Sequence, residues 1–114
     1  MNLLFVCSRN KRRSPTAEKI WKNEPGYSVR SAGTSPNAVR RINFKDICWA
    51  DCIFVMEKKH KHRLLANFRT LLQYKSIHVL DIPDEYFFDD PELVSELLAR
   101  VNPTLDFMEE QNSH

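Results

Sequence analysis

The chain has 114 residues, which predicts one domain spanning 1–114 and excludes a two-domain enzyme. Hydrophobic residues make up 42% and charged residues 28%, enough to bury a core and too apolar for a disordered segment. The net charge of +2 conceals a segregation, because Lys/Arg against Asp/Glu number nine to two in 1–41, seven to three in 42–75 and one to ten in 76–114. Net charges of +7, +4 and −9 place a basic surface in the first two thirds, where a phosphate or a nucleic acid would fit.

Asn2 to Val6 is a short apolar run and predicts a buried first strand. Ser14 offers a helix cap and Pro15 a first helical residue, with Ala17, Ile20 and Trp21 on one face. After the Pro25-Gly26 turn, Tyr27 to Arg30 predicts a second strand, and Ser31-Ala32-Gly33-Thr34-Ser35-Pro36 reads as loop. Cys52 to Met56 is fully apolar and suits an interior strand covered on both faces. Glu57 opens a basic amphipathic helix to about Phe68, with Leu64, Leu65 and Phe68 at core spacing. Ile77 to Leu80 is a fourth strand, 82–90 a loop, and Asp90-Pro91-Glu92 starts a last helix with Leu93, Val94, Leu97, Leu98 and Val101 on its face. Alternating strands and helices predict a small doubly wound α/β domain, a four-stranded parallel sheet with helices on both faces. Ligands in such folds bind beyond the carboxyl ends of the strands, where strand order reverses. The loop after the first strand is therefore the first place to look.

That loop is Cys7-Ser8-Arg9-Asn10-Lys11-Arg12-Arg13-Ser14, a Cys, five residues, then Arg-Ser, between a strand and a helix N-terminus. Five residues can wrap backbone N–H groups around a tetrahedral oxyanion, and the helix end adds donors and partial positive charge. The same field, with Arg13, favours a thiolate nucleophile at Cys7. Arg13 can grip two phosphate oxygens as a planar fork, and Ser8, Arg9, Asn10, Lys11, Arg12 and Ser14 complete a phosphate-binding loop.

On this loop, together with Ser31-Ala32-Gly33-Thr34, Ala50-Asp51-Cys52-Ile53-Phe54-Val55-Met56 and an acidic loop with Tyr86, the chain resembles the low-molecular-weight protein tyrosine phosphatase family along its whole length, most of all a short bacterial branch. The resemblance implies the three-layer α/β/α, phosphotyrosine phosphatase I-like fold. It also implies hydrolysis of phosphotyrosine or a similar phosphate monoester through a phosphocysteine at Cys7. Arg13 would bind the phosphoryl group in both steps, Asn10 would hold the cradle's backbone, Ser31 would support it and Ser14 would stabilise the thiolate. No metal or other cofactor is implied.

A phosphate monoester needs its leaving oxygen protonated, and 81–86 supplies Asp81, Asp84 and Glu85. The family's Asp-Pro-Tyr core falls in register with Asp84-Glu85-Tyr86, which favours Asp84 and leaves Asp81 and Glu85 as alternatives. Tyr86 and Phe87 either wall an aromatic substrate or pack as satellite core, and Asp89 and Asp90 read as helix caps. Three departures stand out: Arg9 where the family usually has glycine, Arg12 where many members have a protective second cysteine, and a short stretch between Thr34 and Asp51. The first predicts a stiffer loop, the second a Cys7 prone to overoxidation, and the third a reduced cleft wall.

Other features read as structural. Cys48 and Cys52 are expected to be buried free thiols, and the absence of cysteines after Cys52 argues against a related arsenate reductase. His60 and His62 do not share a helix face, which makes them a poor metal pair. The run 58–63 reads as a solvated helix face, with an anion or RNA patch as the functional alternative. No apolar run reaches the length of a bilayer span or a signal-peptide core, so a cytoplasmic protein without membrane partners is expected. The competing function is a module that binds a phosphoprotein, nucleic acid or other phosphate without turnover.

Overall fold

A computed structural model describes residues 1–112. Its elements are β1 (Asn2–Cys7), α1 (Arg13–Trp21), β2 (Ser28–Gly33), α2 (Phe44–Trp49), β3 (Cys52–Val55), α3 (Lys58–Leu72), β4 (Ser76–Val79) and α4 (Pro91–Asn112). The four strands are parallel in the order β2-β1-β3-β4, so the chain reverses direction across the sheet between β1 and β3. Both central strands are buried on both faces, which is why they read as continuous apolar runs rather than alternating ones.

Strand side chains alternate between the two faces and divide the core in two. Leu3, Phe5, Cys52 and Phe54 pack beneath α1 and α4, through Ala17, Trp21, Leu93, Leu97, Val101 and Leu105. Phe5 anchors this layer, its ring stacked 5.3 Å from Trp21 and 5.2 Å from Phe54. Leu4, Val6, Ile53 and Val55 point the other way, onto Ile47, Leu64 and Leu72 of α2 and α3. The architecture is thus the expected three-layer doubly wound sheet. Among the described residues no helix is long and apolar enough to cross a membrane.

Several local expectations are corrected. β2 runs on through Ser31, Ala32 and Gly33, which pair with Phe5, Val6 and Cys7, so the ladder makes strand of residues whose composition reads as loop. The fourth strand begins one residue early, at Ser76. Helix α1 starts at Arg13 rather than after a Ser14 cap, because the Ser14 hydroxyl is drawn to Cys7. The short α2, which the apolar pattern did not announce, starts at an Asn43–Asp46 capping box. Asp90 does cap α4 by accepting from the Glu92 N–H at 3.0 Å, whereas Asp89 pairs with Lys19 at 2.5 Å. Cys48 is exposed rather than buried, while Cys52 is buried in β3.

Candidate active site

The carboxyl ends of β1 and β3 lie side by side where strand order reverses, and the turn after β1 encloses a cavity of about 290 Å³. Cys7, Ser8, Arg9, Lys11, Arg12, Arg13 and Asp84 line it. The carbonyls of Cys7, Ser8 and Arg9 accept from the N–H groups of Thr34, Ser35 and Val39 at 2.9, 2.9 and 3.0 Å. In a trans peptide the next N–H points opposite the carbonyl, so these bonds turn the loop amides inward. The Asn10 N–H accordingly points at Cys7 Sγ, 3.3 Å away. Asn10 reaches this geometry with φ of +58°, a left-handed conformation that asparagine tolerates.

Behind the loop runs a directional chain of hydrogen bonds. The Asn10 side-chain amide donates to Ser14 Oγ and to Ser31 Oγ, both at 2.9 Å, which uses both of its hydrogens. Ser31 Oγ–H donates to Glu18 Oε1 at 2.5 Å. Ser14 Oγ accepts from Asn10 and keeps its own proton to give, and the Cys7 sulfur at 2.9 Å is a nearer acceptor than the Ala32 carbonyl at 3.5 Å. Asn10, Ser14, Ser31 and Cys7 are all buried, so each link is made in a poorly solvating interior where an unmet donor would be costly.

Arg13, only 2% exposed, is held at one end. Its Nη1 bonds Glu57 Oε1 and donates to the Ile82 carbonyl at 2.8 Å. Among the described residues its Nε/Nη2 edge has no hydrogen-bond acceptor; Asp84 Oδ1 stands 3.8 Å from Nε. A guanidinium pinned through Nη1 presents the edge that makes a two-point contact with phosphate. Burial alone would raise the Glu57 carboxyl, but the hydrogen bond and charge of Arg13 outweigh it and hold Glu57 below the usual glutamate value.

Of the three candidate carboxylates, Asp84 lines the cavity, while Asp81 and Glu85 do not. Ile82 fixes this register: its side chain is buried, its N–H donates to the Met56 carbonyl at 2.9 Å and its carbonyl accepts from Arg13. Tyr86 and Phe87 do not wall the cavity. Tyr86 packs against the α1/α4 core layer and lines a separate hollow with Pro91 and Glu92, and Phe87 lies beneath Arg12, whose guanidinium is 5.5 Å from its ring centroid.

Three participants were missed in the sequence. Glu18 lies one helical turn after Ser14, a spacing that could have flagged it. Glu57 follows β3 at the carboxyl edge of the sheet, the position where such folds place ligand contacts. His60, read within a solvated run, is instead 1% exposed. Its Nδ1 accepts the Glu57 N–H at 3.0 Å, so the proton is on Nε2, which donates to Ser8 Oγ at 2.9 Å. Burial, then the Arg13 charge, lowers its pKa to about 4 and keeps it neutral. The remaining thiol in the interior, Cys52, is pushed up to about 12 by burial and then by the Asp51 charge, which makes it inert. Among the described residues no group of three His, Cys, Asp or Glu is placed to hold a metal ion.

No protein-family model matches the chain, and no curated protein sequence does. Solved structures do match along its whole length. A protein tyrosine phosphatase from Entamoeba histolytica aligns with a TM-score of 0.76 at 23% identity, over 98% of this chain and 99% of its own. The low-molecular-weight protein tyrosine phosphatase of Streptococcus pyogenes gives 0.76 at 20%, over 99% and 98%. The YwlE arginine phosphatase of Geobacillus stearothermophilus gives 0.72 at 22%, over 99% and 97%. The chain has the low-molecular-weight protein tyrosine phosphatase fold.

Proposed function

We propose that the protein is a cysteine-dependent phosphatase that hydrolyses a phosphate monoester through a phosphocysteine intermediate. The Cys7 thiolate attacks phosphorus, the S–P bond forms as the P–O bond to the leaving group breaks, and Asp84 gives its proton to the departing oxygen. Water then attacks the phosphocysteine while Asp84 takes a proton from it, releasing phosphate and restoring the thiolate. Inward loop amides and the free edge of Arg13 hold the equatorial oxygens through both steps, which is where most catalysis of phosphoryl transfer resides. Ser14 Oγ–H supports the sulfur as it carries charge. Ser31 and Asn10 are positioning residues that fix Ser14.

The observation that carries this reading is the convergence on one cavity of the Cys7 sulfur, at the accepting end of the Asn10–Ser14 chain, the open fork of Arg13 and Asp84. The tyrosine and arginine phosphatases that share the fold support it.

The test is hydrolysis of p-nitrophenyl phosphate by reduced protein with EDTA present. Wild type is expected to turn over, Cys7→Ser and Arg13→Ala to lose activity, and Asp84→Asn to lose about 100-fold or more in kcat, most of all for poor leaving groups. Wild-type activity retained by Cys7→Ser would refute the mechanism. No hydrolysis by folded, reduced wild type would leave a phosphate-binding module, in which Asp84 has no task.

A further inference from the structure

A second cavity, of about 270 Å³, lies beside the first and is lined by Ser8, Thr34, Ser35, Lys59, His60 and Arg63. Ser8 stands in the wall of both, so the two adjoin at this residue. Every lining residue carries a polar hydrogen-bonding group, and none is acidic. Ser8 Oγ accepts the His60 Nε2 proton, which frees its own hydrogen for a ligand. Ser35 Oγ accepts from the Asn37 N–H at 3.1 Å and is free in the same sense. Arg63 has no ion pair among the described residues, and Lys59 has only Glu57 Oε2 at 3.9 Å, whose other oxygen is taken by Arg13.

The charge around both cavities exceeds what one phosphate needs. Arg9, Lys11 and Arg12 rim the first and Lys59 and Arg63 the second, against Asp84 and the already paired Glu57. The first cavity, moreover, has no aromatic side chain in its wall. Hydroxyl, ammonium and guanidinium donors with no Phe, Tyr or Trp ring among the lining residues fit a second phosphate better than an aryl group.

We infer that the second cavity is an anion subsite and that the substrate is a sugar bearing two phosphates, one cleaved in the Cys7 cradle and the other held by Ser8, Ser35, Lys59 and Arg63. This rests on the phosphatase reading and names its substrate class. Two phosphates joined by one oxygen would crowd a single cradle, whereas phosphates on different carbons of a ribose are separated by about the width of one side chain. A nucleoside bisphosphate and the phosphorylated end of a nucleic acid strand both present that chemistry.

The test is calorimetric binding to the Cys7→Ser chain, which cannot turn over. Adenosine 3′,5′-bisphosphate is expected to bind about ten-fold or more tightly than adenosine 5′-phosphate or 3′-phosphate, and K59A/R63A to erase that advantage. A 5′-phosphorylated dinucleotide distinguishes the sources: affinity above that of the bisphosphate assigns the strand end, affinity below it the free nucleotide. Equal binding of mono- and bisphosphate, or equal loosening of both by K59A/R63A, overturns the subsite. A bisphosphate preference without hydrolysis of any monoester by wild type would keep the subsite and refute the phosphatase reading instead.

Discussion

His60 couples the turn after β3 to the cradle, and it can do so only while neutral. Protonation of Nδ1 would turn the acceptor of the Glu57 N–H into a donor beside the Arg13 guanidinium. Its ordinary value is 6.5 and burial lowers it to about 4. Between those values the unfolded chain takes up a proton that the folded chain refuses. The stabilisation is therefore complete above pH 6.5 and is lost as pH falls towards 4, by about 3 kcal/mol for this group. Half-buried His78 shifts in the same direction, through burial. Urea midpoints at pH 7.5, 6 and 5 should fall for wild type, and more shallowly for His60→Gln; equal slopes would show that His60 does not titrate this way. The sequence announced Cys7, Arg13, Ser14 and Asn10 because their spacing is local, within one turn. It hid His60 and Glu57 because they come from another element 44 to 52 residues away and meet the cradle only through the sheet.

At the scale of elements, the cradle depends on how closely the end of β2 approaches it. Gly33 pairs with Cys7, and a Cβ there would stand 2.5 Å from the Ser8 carbonyl oxygen and 2.6 Å from Ala38 Cβ. The Ser8 carbonyl cannot retreat without stretching its bond from the Ser35 N–H, one of those that turn the loop amides inward. Gly33→Ala should cost about 1 to 3 kcal/mol by thermal or urea denaturation and should lower kcat in the fraction that remains folded. Gly26 is the contrast: its φ of +89° makes Gly26→Ala strained, but open space surrounds it, so that variant should lose stability and keep its kcat. Unchanged kcat in Gly33→Ala would remove the bracing role given to this strand end. The sequence could not show that β2 continues to Gly33, since Ser-Ala-Gly has weak strand preference and only pairing with β1 enforces it.

Across the whole molecule the charge segregation has a spatial meaning. The basic first two thirds supply the cradle, its rim and the second cavity, while the acidic last third goes mainly into the 81–90 loop and α4. Such a field draws anions to the carboxyl edge of the sheet and is screened by salt. With p-nitrophenyl phosphate, kcat/KM should fall several-fold between about 0.02 and 0.5 M NaCl, chiefly through KM; a salt-independent KM would mean that the basic rim plays no part in capture. The sequence by itself determined the alternation of strands and helices, the two-sided burial of β1 and β3, the Cys7–Ser14 cradle and the basic character of its surroundings. All of these are patterns of neighbouring residues. Only the tertiary structure decided which carboxylate lines the cavity with Cys7, which nitrogens of Arg13 stay open, where Tyr86 and Phe87 go and that a second basic cavity shares Ser8 with the first. Those are distances between segments far apart in the chain, fixed by the order in which the strands pair and by the packing of helices on either side.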